Sequence, residues 1–173
     1  MKKTILRYGI YSAITICLLA LAGWTFGKTL SYDNQEIIGY SGMIISLIFV
    51  FFGIQYYRDK ENEGILSFSK AITIGLLISL MAALAFGILD LIYIKFINPD
   101  FMNEYYAYYV EEMKNTLSES EFKIELAKLE EQKELFSNPL INFVVMFLTV
   151  FIIGFIISLL SALILQRKPA KNL

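Results

Sequence analysis

Asp90 is the only acid deep inside an apolar stretch of this chain. A carboxylate at the centre of a bilayer costs about 2.5–3.5 kcal/mol on insertion scales, so its presence asks for a partner or a task. Three tasks fit the residue type: structural anchoring or an ion pair, binding of a coupling ion or proton, and catalysis. Lys95 lies one turn further on and offers a partner if the helix end bends. Counted from Phe68, Asp90 falls about 33 Å along a helix that rises about 1.5 Å per residue, which puts it near headgroup depth. Gln55, at the end of a different apolar stretch, is expected to be an interfacial hydrogen-bonding group.

The remaining chemistry is sparse. There is no histidine, which removes the commonest general base and metal ligand, and the single cysteine, Cys17, can make no internal disulfide. Cys17 is expected to act as a small hydrophobe in a helix interface. No Gly-x-Ser-x-Gly elbow, phosphate-binding glycine loop or metal-spaced acid pair occurs in residues 58–67, the longest loop on the side assigned to the cytoplasm. No catalytic, cofactor-binding or metal-binding residue is therefore expected, and the chain is not read as an enzyme. Fifteen basic residues against sixteen acidic ones leave a charge of −1, and no dense basic stretch is interleaved with aromatics, so nucleic acid is not an expected partner.

Composition decides what must position Asp90. Apolar residues make up 57% of the 173 and charged residues only 18%, against about 45–50% and about 25% in soluble domains. The apolar residues gather into four blocks, about 9–26, 37–57, 68–96 and 140–165. About 20 apolar residues in a helix cross a hydrocarbon core of about 30 Å, and the blocks are continuous rather than alternating, which indicates helices and not barrel strands. The expected fold is an all-α integral membrane protein, a single membrane domain over residues 1–173 with four transmembrane helices. Trp24 and Phe26, Tyr56, Tyr57 and Arg58, and Tyr93 and Phe96 close three of the spans as interfacial anchors.

Met1-Lys2-Lys3, an apolar run and the small pair Ala20 and Ala22 also match a secretory signal, with loss of residues 1–22 as the alternative. Retention is expected, because Gly9, Ala13 and Cys17 share one helical face and Gly23 and Gly27 extend the small-residue pattern past the scissile bond. Lys2, Lys3, Arg7, Arg58, Lys60, Lys70, Arg167, Lys168 and Lys171 lie on one side of the spans, and only Lys28, Lys95, Lys114, Lys123, Lys128 and Lys133 on the other. Both termini are thus expected in the cytoplasm of a bacterial inner membrane.

Within the spans, Gly75, Ser79, Ala83 and Gly87 recur four apart, and Gly154, Ser158 and Ala162 do the same. Such rows let helix backbones approach closely, and the two faces are expected to pack together.

Residues 97–139 form the sizeable polar part, bounded by Asn98-Pro99 and Asn138-Pro139. Two helices fit, making an extracytoplasmic helical hairpin between spans three and four. Tyr106, Tyr109, Val110, Met113 and Leu117 stripe the first; Phe122, Leu126, Leu129 and Phe136 stripe the second, opened by a Ser118–Glu121 capping box and supported by Glu119 and Lys123. Ten acids against four lysines give residues 97–139 a net charge of −6. A solvated hairpin, a docking surface for an envelope protein and a divalent-cation site are the competing readings. Tyr106, Tyr109, Met113, Phe122, Leu126 and Leu129 are the candidate partner surface.

The segments Gly64-Ile65-Leu66-Ser67-Phe68-Ser69-Lys70-Ala71 and Ile97-Asn98-Pro99-Asp100-Phe101 resemble an uncharacterised four-span bacterial membrane family, a domain of unknown function frequent in Bacteroidota. The resemblance implies the same topology and retention of span one; it carries no catalytic or ligand residues to transfer.

The expected function is that of a non-enzymatic accessory or assembly subunit, without cofactor, that contacts the lipid bilayer and binds a membrane or envelope protein. The alternative is an oligomeric small-solute or ion permease using Asp90; that alternative would make the chain a homo-oligomer.

Overall fold

The computed structural model describes residues 1–167, so Lys168 and Lys171 lie outside the described residues. Six α-helices follow one another: α1 (Lys2–Phe26), α2 (Tyr32–Tyr56), α3 (Phe68–Ile92), α4 (Phe101–Thr116), α5 (Glu119–Phe136) and α6 (Pro139–Leu165). A 3₁₀ turn (Gly27–Thr29) follows α1, and π-helical turns (Tyr57–Glu61 and Tyr93–Ile97) extend α2 and α3. Four of these stretches, Lys2–Thr29, Tyr32–Glu61, Phe68–Ile97 and Pro139–Leu165, are long and apolar enough to cross a membrane.

Local chemistry sets the helix ends. Ser31 caps α2 by accepting the Asn34 N–H at 3.4 Å, and the Asn138 side chain accepts the Leu140 N–H at 2.9 Å, with Pro139 in the first helical position, where its missing N–H costs nothing. Beyond α3 the backbone stays wound until Asn98 N–H bonds Tyr93 C=O at 2.8 Å; Pro99 then disfavours a helical conformation at Asn98. At the start of α5 the Ser118 N–H donates to the Glu121 carboxylate at 3.1 Å. The helices α1 and α2 begin at Lys2 and Tyr32, earlier than the apolar blocks, because the polar residues at those ends are compatible with helix although not with hydrocarbon.

The chain forms two compact units, residues 1–86 with 147 onward, and residues 87–146. In the first, Ile16, Leu47, Val50, Ile54, Ile74, Ile78 and Val150 are fully buried. Leu6, Ile14, Leu18, Ile45, Ile48, Ile152 and Leu160 point outward and stay exposed, as surface meant for lipid would. Buried hydroxyls are satisfied by backbone: Ser12 donates to Ser46 C=O at 2.7 Å and Ser46 to Met43 C=O at 2.7 Å. Gly9 is buried against Met81, whereas Ala13 and Cys17 are half-buried. The end of α6 is tied to the loop before α3 by paired backbone bonds between Leu66 and Arg167, 2.9 and 2.8 Å long. That loop turns through Glu63 and Gly64, both at positive φ, and glycine adopts this conformation without steric penalty.

Within the second unit, α4 and α5 touch through side chains: Tyr106 Oη donates to Glu130 at 3.2 Å and Lys133 Nζ lies 4.4 Å from the Tyr106 ring centre.

Candidate functional site

Asp90 stands near the end of α3, 9% exposed, and Asn142 near the start of α6, 5% exposed. The Asn142 amide donates to Asp90 Oδ2 at 2.5 Å. The bond is made because the Asn138 cap and Pro139 start α6 one turn earlier, so Asn142 is already helical and inward-facing. Lys95 is exposed within the π turn, and among the described residues Asp90 belongs to no ion pair. Its neighbour is a neutral amide rather than Lys95. Asn142 was not singled out from sequence; the available signal was a lone carboxamide four residues after the Asn138 cap in an otherwise apolar run.

A carboxylate and an amide can hold a proton or a small cation, or clasp two helices. Among the described residues no three acidic or cysteine side chains converge on a metal-sized site. Gln55 and Cys17 are half-buried and belong to the other compact unit.

The small-residue rows are placed in reciprocal contact. A Cβ added to Gly75 would lie 2.7 Å from Ser158 Cβ, and one on Gly154 would overlap Ser79. Ser79 donates to Gly75 C=O at 2.9 Å and Ser158 to Gly154 C=O at 2.6 Å, so each hydroxyl is satisfied inside its own helix. Ala83 and Ala162 are fully buried. Gly87 faces Phe143 and not a small residue; the row of four is thus shared between two environments.

On α4 and α5 the candidate partner residues Tyr106, Tyr109, Met113, Phe122, Leu126 and Leu129 are all half-buried. Rings follow one another from Tyr93 to Phe101, Tyr105 and Tyr109, with centroids 6.0, 6.1 and 4.6 Å apart. Partial burial and the hydrogen bond with Glu130 push the Tyr106 phenol up from its ordinary range. Hydrogen bonds from Ser118 hold the Glu121 carboxyl below its ordinary range. The ion pair on α5 joins Lys128 to Glu125 at 2.7 Å, rather than Lys123 to Glu119.

A family model described as "Protein of unknown function (DUF4199)" matches residues 7–167. The chain belongs to the DUF4199 family. The match covers α2 to α6 and all of α1 but its first residues. No curated protein and no solved structure matches it.

Proposed function

We propose that this DUF4199 protein is a non-enzymatic accessory or assembly subunit of a bacterial inner membrane, with cytoplasmic termini and an extracytoplasmic α4–α5 hairpin that docks another membrane or envelope protein. One observation carries the reading: every buried side-chain polar atom among the described residues already has a partner within the chain. A solute pathway needs polar groups with bonding capacity left over, whereas a packed scaffold does not. The half-buried tyrosines and leucines of α4 and α5 supply the amphipathic contact area that protein interfaces favour. The asymmetry of lysine and arginine supports the orientation.

Native mass spectrometry of the protein, tagged at its C-terminus and extracted at natural expression level, tests the proposal. A stoichiometric second protein whose retention is lost on changing Tyr109 and Leu126 to Ala supports it. A homo-oligomer with no other protein overturns it. That second result would favour an oligomeric permease, the reading to which the burial of Asp90 lends itself.

A further inference from the structure

Residues Lys3, Arg7, Tyr11, Ile14 and Leu18 lie within about 80° of one another around α1, given about 100° per residue. All five are exposed, Tyr11 by 45%, Ile14 by 53% and Leu18 by 62%, while Ile5, Gly9, Ser12 and Ile16 on the opposite face are buried. A second stripe runs beside it on α2. Tyr56 receives the Arg7 guanidinium over its ring at 5.5 Å, and Phe49 meets the Tyr11 ring at 5.8 Å. Phe52 and Ile45 continue that face, both exposed.

The paired stripes carry charge at one end only. Among the described residues neither Lys3 nor Arg7 forms an ion pair or a hydrogen bond; the Glu61 carboxylate is held instead by the Met1 amine and the Thr4 hydroxyl. The Arg7 guanidinium beside the Tyr56 ring acts on the Glu61 carboxylate only through its charge, and an arginine whose N–H donors are not committed to a partner is suited to receive phosphate. From Arg7 to Leu18 the stripe runs about 16 Å along the helix, the reach of an extended acyl chain. One anionic group followed by a long hydrocarbon tail is the complement of this surface.

We propose that the α1–α2 face binds a glycerophospholipid with an anionic headgroup, its phosphate on Lys3 and Arg7 and one acyl chain along Tyr11, Ile14, Leu18, Phe49 and Phe52. The proposal rests on the membrane placement of the four apolar helices and is independent of any protein partner.

The test is native mass spectrometry of the full chain titrated with phosphatidylglycerol and with phosphatidylcholine. Phosphatidylglycerol should be retained preferentially, and Arg7→Gln and Lys3→Gln should each weaken it roughly fivefold, the equivalent of about 1 kcal/mol per cation near a membrane surface. Arg7→Lys should restore part of the preference, and Lys95→Gln should leave it unchanged. Equal binding of the two lipids by the unaltered chain overturns the proposal without any variant having to fold. Displacement of the lipid by millimolar inorganic phosphate would also overturn it, since the site would then be one for free phosphate. Failure of the chain to retain either lipid would overturn it as well.

Discussion

Gly154 presses against Ser79 so closely that the first carbon of any side chain at position 154 would occupy space held by the serine's Cβ and hydroxyl. The same exchange is made in reverse by Gly75 and Ser158. A serine Cβ is fixed to its backbone, so a larger residue at either glycine can be accommodated only by moving the helices apart.

Gly154→Ala is accordingly expected to destabilise the protein by about 1–3 kcal/mol through overpacking, read as a fall in melting temperature in detergent. Gly39, where a Cβ would meet nothing within 4 Å, is the control. Gly39→Ala should be neutral or stabilise by up to about 1 kcal/mol, because alanine loses less backbone freedom in a helix. Equal losses from both would count against the close approach of α3 and α6.

The Asp90–Asn142 bond predicts an asymmetry between single and double variants. Asn142→Leu leaves a buried carboxylate without its donor and should cost about 1–3 kcal/mol. Changing Asp90 to Leu as well should recover much of that loss, since both polar groups are then gone. A double-mutant cycle by thermal melting measures the coupling, expected near 1 kcal/mol as for hydrogen bonds between membrane helices. Strict additivity would mean that the two side chains do not interact.

Helix α5 should weaken in acid. Because Ser118 holds the Glu121 carboxyl below its ordinary range, the ionised form is favoured by folding. The capping contribution is therefore fully present above about pH 4.3, the ordinary glutamate value, and is lost as pH falls through the lowered folded value. Amide exchange at residues 118–122, compared at one pH between the parent and Glu121→Gln, should show faster opening in the variant at neutral pH. The difference should shrink in acid; a constant difference would exclude the carboxylate as the cap.

Orientation can be read chemically. After Cys17→Ser, a cysteine introduced by Asn115→Cys should react with an impermeant maleimide in intact cells. One introduced by Glu63→Cys should react only after permeabilisation. The opposite pattern would reverse the proposed topology.

The four apolar helices were legible because hydrophobic length is a property of the chain alone, and α4 and α5 because Asn98-Pro99, Ser118–Glu121 and Asn138-Pro139 mark their ends with local chemistry. Asn142 was not legible: a single carboxamide scarcely alters the hydropathy of α6, and its meaning arises only from the proximity of Asp90, fifty-two residues away in sequence. Lys95, near in sequence, looked the better partner but is exposed in the π turn. Gly87 likewise continues the four-residue spacing of Gly75, Ser79 and Ala83, yet it faces the aromatic ring of Phe143. Spacing fixes the azimuth of a residue on its helix and says nothing about what stands opposite.

The first compact unit is drawn from two separated stretches of chain, residues 1–86 and the part from 147 onward. During synthesis the first three helices must wait, with the face of Gly75 and Ser79 uncovered and the Leu66 backbone unpaired, until α6 has emerged. A chain cut within residues 117–118 is therefore expected to reconstitute from co-expressed halves, read as co-purification of the two fragments.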